Sequence, residues 1–363
     1  MLTMKNAKEI GLLALLLTGL PLAGIWVAGH DPALYLLEFP PRTRYAEHAA
    51  FSWPVFIGLA VVITIVMLPF LIRICATNRS AICRNNNPKR FPWWGGLSIG
   101  LGLLFWSLAW MRQTWFEPFQ LYSFTPQWLC YIVAINAMTR HRTGRSLLTH
   151  NTKFLLLLFP LSAAFWWFFE YLNRFVQNWW YTCGTEFAPA QYFIAATLSF
   201  STVLPAVLST EEWIASNPRN TAGLKYFIPI HFPKPKLAAT ITLLVSASGL
   251  LFIGRYPDQL FPLLWVAPLL LLMALQTIAN RPSFFPEIET GDWRRIYRFC
   301  LAALICGFFW EMWNWHSLAK WIYSVPYVDR FHLFEMPILG YAGYLPFGLE
   351  CAVIAQLIRN KKK

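Results

Sequence analysis

Two stretches of the chain place a carboxylate, a carboxamide and two hydrogen-bonding aromatics in nearly the same order. Trp166-Trp167-Phe168-Phe169-Glu170-Tyr171-Leu172-Asn173 runs on to Trp179-Trp180-Tyr181, and Phe308-Phe309-Trp310-Glu311-Met312-Trp313-Asn314 runs on to Trp321-Ile322-Tyr323. Both read as an aromatic run, Glu-x-x-Asn, then Trp-x-Tyr, and the second copy has one extra residue before its Trp. A Glu and an Asn three apart share a helical face. A carboxylate at the edge of hydrocarbon is costly, so two placed alike ask for a reason. In a chemical reading, Glu170 and Glu311 face one cavity, where one holds a proton to donate and the other, ionised, stabilises positive charge. Asn173 and Asn314 would then orient a carboxylate or hold a polar substrate group. In a structural reading, each Glu accepts hydrogen bonds from a Trp indole or an Arg and pins a helix pair. Duplication suits both readings.

The aromatic residues around these acids, Trp310, Trp313, Trp321 and Tyr323 with Trp167, Trp179 and Tyr181, are the candidate substrate wall. Aromatic faces can stabilise carbocation character by cation–π attraction, about 2 kcal/mol or more where desolvated. Further candidates lie in Phe331-His332-Leu333-Phe334-Glu335-Met336-Pro337 and in Gly343-Tyr344-Leu345-Pro346-Phe347-Gly348-Leu349-Glu350. His332 and Glu335 are three apart, and Glu350 is an acid inside the last apolar run, a functional position by default. The bland alternative pairs them with Lys320, Arg330 or a backbone group. Gly and Pro spacing in this segment predicts a kinked or broken helix. His30, His48, His316 and His332 match no zinc spacing, so no metal is expected and no cofactor is implied. Phosphate loops, Ser/His/Asp arrangements and dinucleotide fingerprints are likewise missing from the sequence.

The elements that must position these residues are membrane helices. With 57% hydrophobic and 13% charged residues, the chain departs from soluble averages of about 45–50% and about 25%. Apolar runs of about 20 residues span a bilayer. Ten are read, near 9–29, 53–74, 94–111, 124–140, 153–171, 191–209, 237–254, 260–279, 296–315 and 337–358. With both termini cytoplasmic, 23 of the 30 Lys and Arg residues fall on the cytoplasmic side, as the positive-inside rule requires. The expectation is an all-α polytopic transmembrane bundle in the plasma (inner) membrane, one domain over residues 1–363. Glu170, Glu311 and Glu335 then lie at the outer face. That distribution also accounts for the net charge of +13 without nucleic acid, for which no compact basic domain is left over. The Asn85-Asn86-Asn87-Pro88-Lys89-Arg90 and Arg140 to Arg145 clusters read as positive-inside charge at anionic headgroups. The first run follows Lys5 and Lys8 and is longer than a usual signal core, so it is read as a retained span, with a cleaved signal peptide as the alternative. Seven scattered cysteines, of which Cys183 alone falls in an outer loop, predict no disulfide framework.

The repeat extends past the helix ends. Tyr181 precedes Pro205 by 24 residues and Tyr323 precedes Pro346 by 23. The unit is thus a helix pair, about 153–209 and 296–358, recurring in the same orientation as a parallel repeat.

Trp310-Glu311-Met312-Trp313-Asn314, Trp321-Ile322-Tyr323 and Gly343 to Glu350 resemble the repeat of lycopene cyclase domain proteins. In that family an acid-Asn pair, a Trp-x-Tyr and a later Pro-x-Glu-Glu close each repeat. Here the last acid stands four residues after Pro346, and no Glu-Glu pair follows. The chain also looks like a family of bacterial multi-span proteins sharing the Trp-Glu-x-x-Asn and Phe-Glu-Met-Pro wording, which implies no activity. The first resemblance implies a membrane enzyme acting on an apolar isoprenoid. Membrane lipids and an apolar small molecule are the expected partners, and no protein partner is indicated. An ion-coupled transporter and a non-catalytic accessory subunit are the alternatives. A closed aromatic cavity would favour the enzyme, a water-filled path the carrier, and packed acids without a cavity the subunit.

Overall fold

The computed structural model describes residues 4–35, 44–77, 89–182 and 187–358. Cys183, Glu38 and the Asn85 to Pro88 part of the basic cluster lie outside them. The chain is helical throughout: α1 Met4–Val27, α2 Trp53–Ala76, α3 Trp93–Met111, α4 Phe124–Thr143, α5 Leu147–His150, α6 Thr152–Val176, α7 Pro189–Phe200, α8 Val203–Ala215, α9 Pro235–Phe252, α10 Pro257–Leu260, α11 Leu263–Ile278, α12 Arg294–Trp315 and α13 Tyr344–Ile358. Four short strands are added, β1 Trp179–Tyr181, β2 Trp321–Tyr323, β3 His332–Leu333 and β4 Met336–Pro337.

Among the described residues seven helical segments are long and apolar enough to cross a bilayer, so the protein is a multi-pass helical membrane protein. They are Trp53–Ala76, Trp93–Met111, Thr152–Val176, Pro189–Ala215, Pro235–Phe252, Arg294–Trp315 and Ile338–Ile358. Gly11–Val27 and Leu263–Ile278 are apolar but shorter. α4 carries Arg140, His141 and Arg142 in its last turn. Each of the ten expected runs thus holds helix, while three fall below the length or apolarity of a full span. The sixth run is not continuous: it breaks at Ser201–Thr202 into α7 and α8. The tenth opens as a 3₁₀ turn, Ile338–Gly343, before α13, which is the break its Gly and Pro spacing predicts.

At the core, α8 packs against α4, α6 and α12, and α13 packs against α12 and α11. The α12–α13 crossing is close because Gly348 has no side chain: a Cβ there would stand 2.3 Å from the Phe299 carbonyl oxygen. Small residues at such crossings let helices in lipid gain dispersion contact. α2 has no buried residue and is held near its ends. Ser52 N donates to Tyr327 O at one end, and Arg73 donates to the Gly223 and Tyr226 carbonyls at the other.

The strands were not anticipated as strands, although Trp-x-Tyr has the period of two that a strand imposes. β1 and β2 pair antiparallel, Trp179 with Tyr323, Trp180 with Ile322 and Tyr181 with Trp321. The two halves of the sequence repeat are therefore joined through their own equivalent segments. β3 and β4 form a small hairpin, His332 opposite Pro337.

Candidate functional site

Each Glu-x-x-Asn/Trp-x-Tyr copy closes into a hydrogen-bonded module. α6 ends at Gln177, which adopts the left-handed conformation and donates its N–H to the Asn173 carbonyl at 2.6 Å. The Asn173 side chain then takes over from the helix. Its Oδ1 accepts from Asn178 N at 2.8 Å and Trp179 N at 3.4 Å, and its Nδ2 donates to Trp179 O at 2.8 Å. Asn314 does the same in the second copy: Oδ1 accepts from Trp321 N at 2.9 Å and Nδ2 donates to Trp321 O at 2.7 Å. A carboxamide carries one acceptor and one donor side, like a peptide unit, so it serves as a strand partner for the Trp backbone. The expectation that these Asn residues touch a carboxylate or a substrate is corrected accordingly: they hold strands.

With the Trp backbone clamped, the Trp and the Tyr two residues on point to the same face. The Tyr hydroxyl meets the Glu, which lies about 4.5 Å up the helix from the Asn at 1.5 Å per residue. Glu170 Oε1 accepts from Tyr181 OH at 2.7 Å, Trp179 Nε1 at 3.0 Å and Trp166 Nε1 at 3.2 Å. Glu311 Oε1 accepts from Tyr344 OH at 2.7 Å and Tyr323 OH at 2.8 Å, while Trp321 Nε1 donates to Tyr323 OH at 2.8 Å. Both carboxyls are fully buried. In each, the second oxygen, Oε2, has no hydrogen-bond partner among the described residues. Burial pushes the Tyr181 and Tyr323 phenols well above their usual range, and the neighbouring Glu170 and Glu311 carboxyls add to it. Both phenols therefore stay protonated and remain donors.

Under the β1–β2 strand pair lies a cavity of about 380 Å³, within the size range of small-molecule sites. Its walls include Trp179 and Tyr181 from β1, Trp321 and Tyr323 from β2, and Trp310 and Tyr344 from α12 and α13. Neither Glu170 nor Glu311 is on the wall; each stands one layer behind it, bonded to the phenols that are. Trp166 and Trp265 are also on the wall. Trp265, in the first turn of α11, has no local signal that singles it out; it packs against Phe169 of α6, Trp179 of β1 and Phe347 of α13.

The other candidates stand apart from this cavity. Glu335 accepts from Lys320 Nζ at 2.6 Å, and the exposed His332 pairs with Asp329 at 2.8 Å. Glu311, Asn314 and Glu335 do not come together on the wall of this cavity, and Glu335 is taken up by the Lys320 ammonium. Trp167 donates to Thr197 Oγ1 at 3.0 Å, and Trp313 packs on Trp128 and Phe309. Glu350 is buried in α13, and among the described residues neither carboxyl oxygen meets hydrogen-bond geometry, a polar neighbour being the Leu269 backbone next to Pro268. Among the described residues no three His, Cys, Asp or Glu side chains gather to hold a metal; His316 packs instead on Trp110 and Trp315.

Comparison with protein-family models, with curated proteins and with solved structures returned no match. What the fold and the site define is a helical membrane protein with an aromatic-walled cavity backed by two buried carboxyl groups.

Proposed function

We propose that the protein is a membrane-embedded enzyme that takes an apolar, isoprenoid-like or lipid molecule into the aromatic cavity and handles protons through two Glu–Tyr pairs. One observation carries this reading: Tyr181 and Tyr323 line the cavity and each bonds a buried carboxyl behind it. A protonated carboxyl can pass its proton to the phenol oxygen while the phenol gives its own to the ligand, leaving a carboxylate behind. The reverse movement removes a proton from the ligand. Two such pairs allow one to donate and the other to accept, as two carboxyls in unlike environments do elsewhere.

The same reading keeps ten spans, cytoplasmic termini and a parallel repeat, with the cavity near the outer leaflet of the plasma membrane. Its support is the Lys and Arg distribution, the matching bonds made by Asn173 and Asn314, and the antiparallel pairing of the two Trp-x-Tyr strands. A two-fold axis along the membrane normal would generate that pairing. An ion-coupled carrier is the second reading, favoured by the buried Glu350 in α13.

Lipids that copurify with the protein, and lipid extracts of cells with and without the gene, test the enzyme reading. Rescue of a deletion strain by Glu311→Gln tests the acid. Gln keeps the shape and loses the proton chemistry, so the variant is expected to fold at normal yield and fail to rescue. Full rescue would retire Glu311 from chemistry.

A further inference from the structure

We infer that the cavity selects a positively charged or cation-forming head on an apolar chain and rejects anionic heads such as phosphates. The inference deepens the proposed function and rests on the cavity being a ligand site.

Among the described residues the wall contains no Lys and no Arg. Its polar groups are phenols, indoles, Asn178 and Ser199, all neutral. Behind it stand two carboxyls, each buried, each with one oxygen that no group in the described protein satisfies. The charges near them differ. Glu170 has Arg174 in its vicinity on α6. The charged side chain near Glu311 is another acid, Glu335, whose partner is Lys320 at 2.6 Å. A carboxylate in hydrocarbon without a counter-charge is costly, so Glu311 must be compensated either by a proton or by a cation from the cavity. Indole and phenol rings make up much of the wall, among them Trp166, Trp179, Trp265, Trp310, Trp321 and Tyr344. Trp310 and Tyr344 stack with centroids 5.9 Å apart, and Trp179 and Trp265 pack at a tilt of 32° with centroids 5.6 Å apart. Rings of this kind attract cations that lack strong hydrogen-bond demands, quaternary ammonium above all. A phosphate placed there would meet two carboxyls and find no cation to pair with. The wall contributed by α2 and by the 3₁₀ turn before α13 includes the aliphatic Leu59, Ile63 and Leu339, and suits a hydrocarbon tail.

Three ligands of equal chain length separate charge from shape: an alkyl trimethylammonium, its neutral carbon isostere with tert-butyl in place of trimethylammonium, and the alkyl phosphate. Binding is read from tryptophan fluorescence of the full chain in a neutral maltoside detergent. The ammonium is expected to bind at least tenfold more tightly than the carbon isostere, and the phosphate least of all. In Glu311→Gln the ammonium preference is expected to fall below threefold with the isostere unchanged. Should that variant not fold, Trp310→Leu is expected to weaken the ammonium more than the isostere. Equal binding of ammonium and isostere, a phosphate that binds best, or a preference that survives in the folded variants would overturn charge selection and leave the apolar cavity standing. Failure of all three ligands to bind would remove the cavity reading itself.

Discussion

Asn173 and Asn314 illustrate how a residue's chemistry and its job separate. Both amides spend their donor and acceptor on one Trp backbone, and that clamp decides where the Tyr hydroxyl goes. The two carboxyls they serve are not equally provided for. Glu170 has one phenol and two indoles, whereas Glu311 has two phenols, one of which also receives the Trp321 indole. Tyr323→Phe removes one of two donors to Glu311 and strands the Trp321 N–H. Tyr181→Phe leaves Glu170 with two indole donors. An unmade bond to a buried polar group costs about 1–3 kcal/mol, more for a charged one. Tyr323→Phe is therefore expected to lower thermal stability by that amount or more, and Tyr181→Phe by less. Melting of the two purified variants side by side checks this, and the opposite order would sink the account of the two donor sets.

At the scale of elements, the two copies reach the same end by exchanging bulk between helices. In the first, Trp166 on α6 donates to Glu170, and Val203 at the start of α8 lines the same cavity as Trp166. Stepping 141 residues along the chain puts Gly307 and Tyr344 at those positions. A Cβ at Gly307 would stand 2.4 Å from the Tyr344 ring, and the ring fills the place with its hydroxyl on Glu311. Each copy has one large and one small residue at these positions, with the order reversed. Gly307→Ala is expected to destabilise by about 1–3 kcal/mol through overpacking. Gly307→Trp alone is expected to fail to accumulate, while Gly307→Trp with Tyr344→Val, the first copy's combination, recovers folded yield. Size-exclusion profiles of the single and double variants decide it. A double variant no better than the single would argue that the helix pairs are not equivalent.

For the whole molecule, the antiparallel β1–β2 pair is the tie between the halves and the cover of the cavity. Its ladder is continued by Ser324 N donating to Asn178 O at 2.9 Å and Thr182 N to Lys320 O at 3.0 Å. The segment before α2 is bonded to the same cover: His48 reaches Asp258 at 2.7 Å and the Gln177 carbonyl at 3.2 Å, and Ser324 Oγ donates to Ala46 O at 2.8 Å. Trp180 and Ile322 are directly opposite and on the face away from the cavity. Opposed antiparallel residues sit about 4.5–5.5 Å apart at Cα, inside the disulfide range of about 4.4–6.8 Å. A Trp180→Cys/Ile322→Cys pair is expected to cross-link under mild oxidation in the intact protein. After proteolytic cleavage between α8 and α9 the two halves should then stay joined without reductant. Separation of the fragments would mean the strands do not pair.

Periodicity and composition were enough to place helix in all ten runs and to pick out both Glu-x-x-Asn/Trp-x-Tyr copies, because hydrophobic length and same-face spacing are local properties of a chain. The break within the sixth run, the wall positions of Trp265 and Tyr344, and the capture of Glu335 by Lys320 were not legible. Each depends on which faces of distant helices meet, and a local pattern carries no record of its partner. The sequence determined that two carboxyls would be held at helix ends among aromatics. Only the tertiary structure decided that tyrosines, not the acids, meet the cavity, because the strands that deliver those tyrosines exist by pairing with each other across about 140 residues of chain.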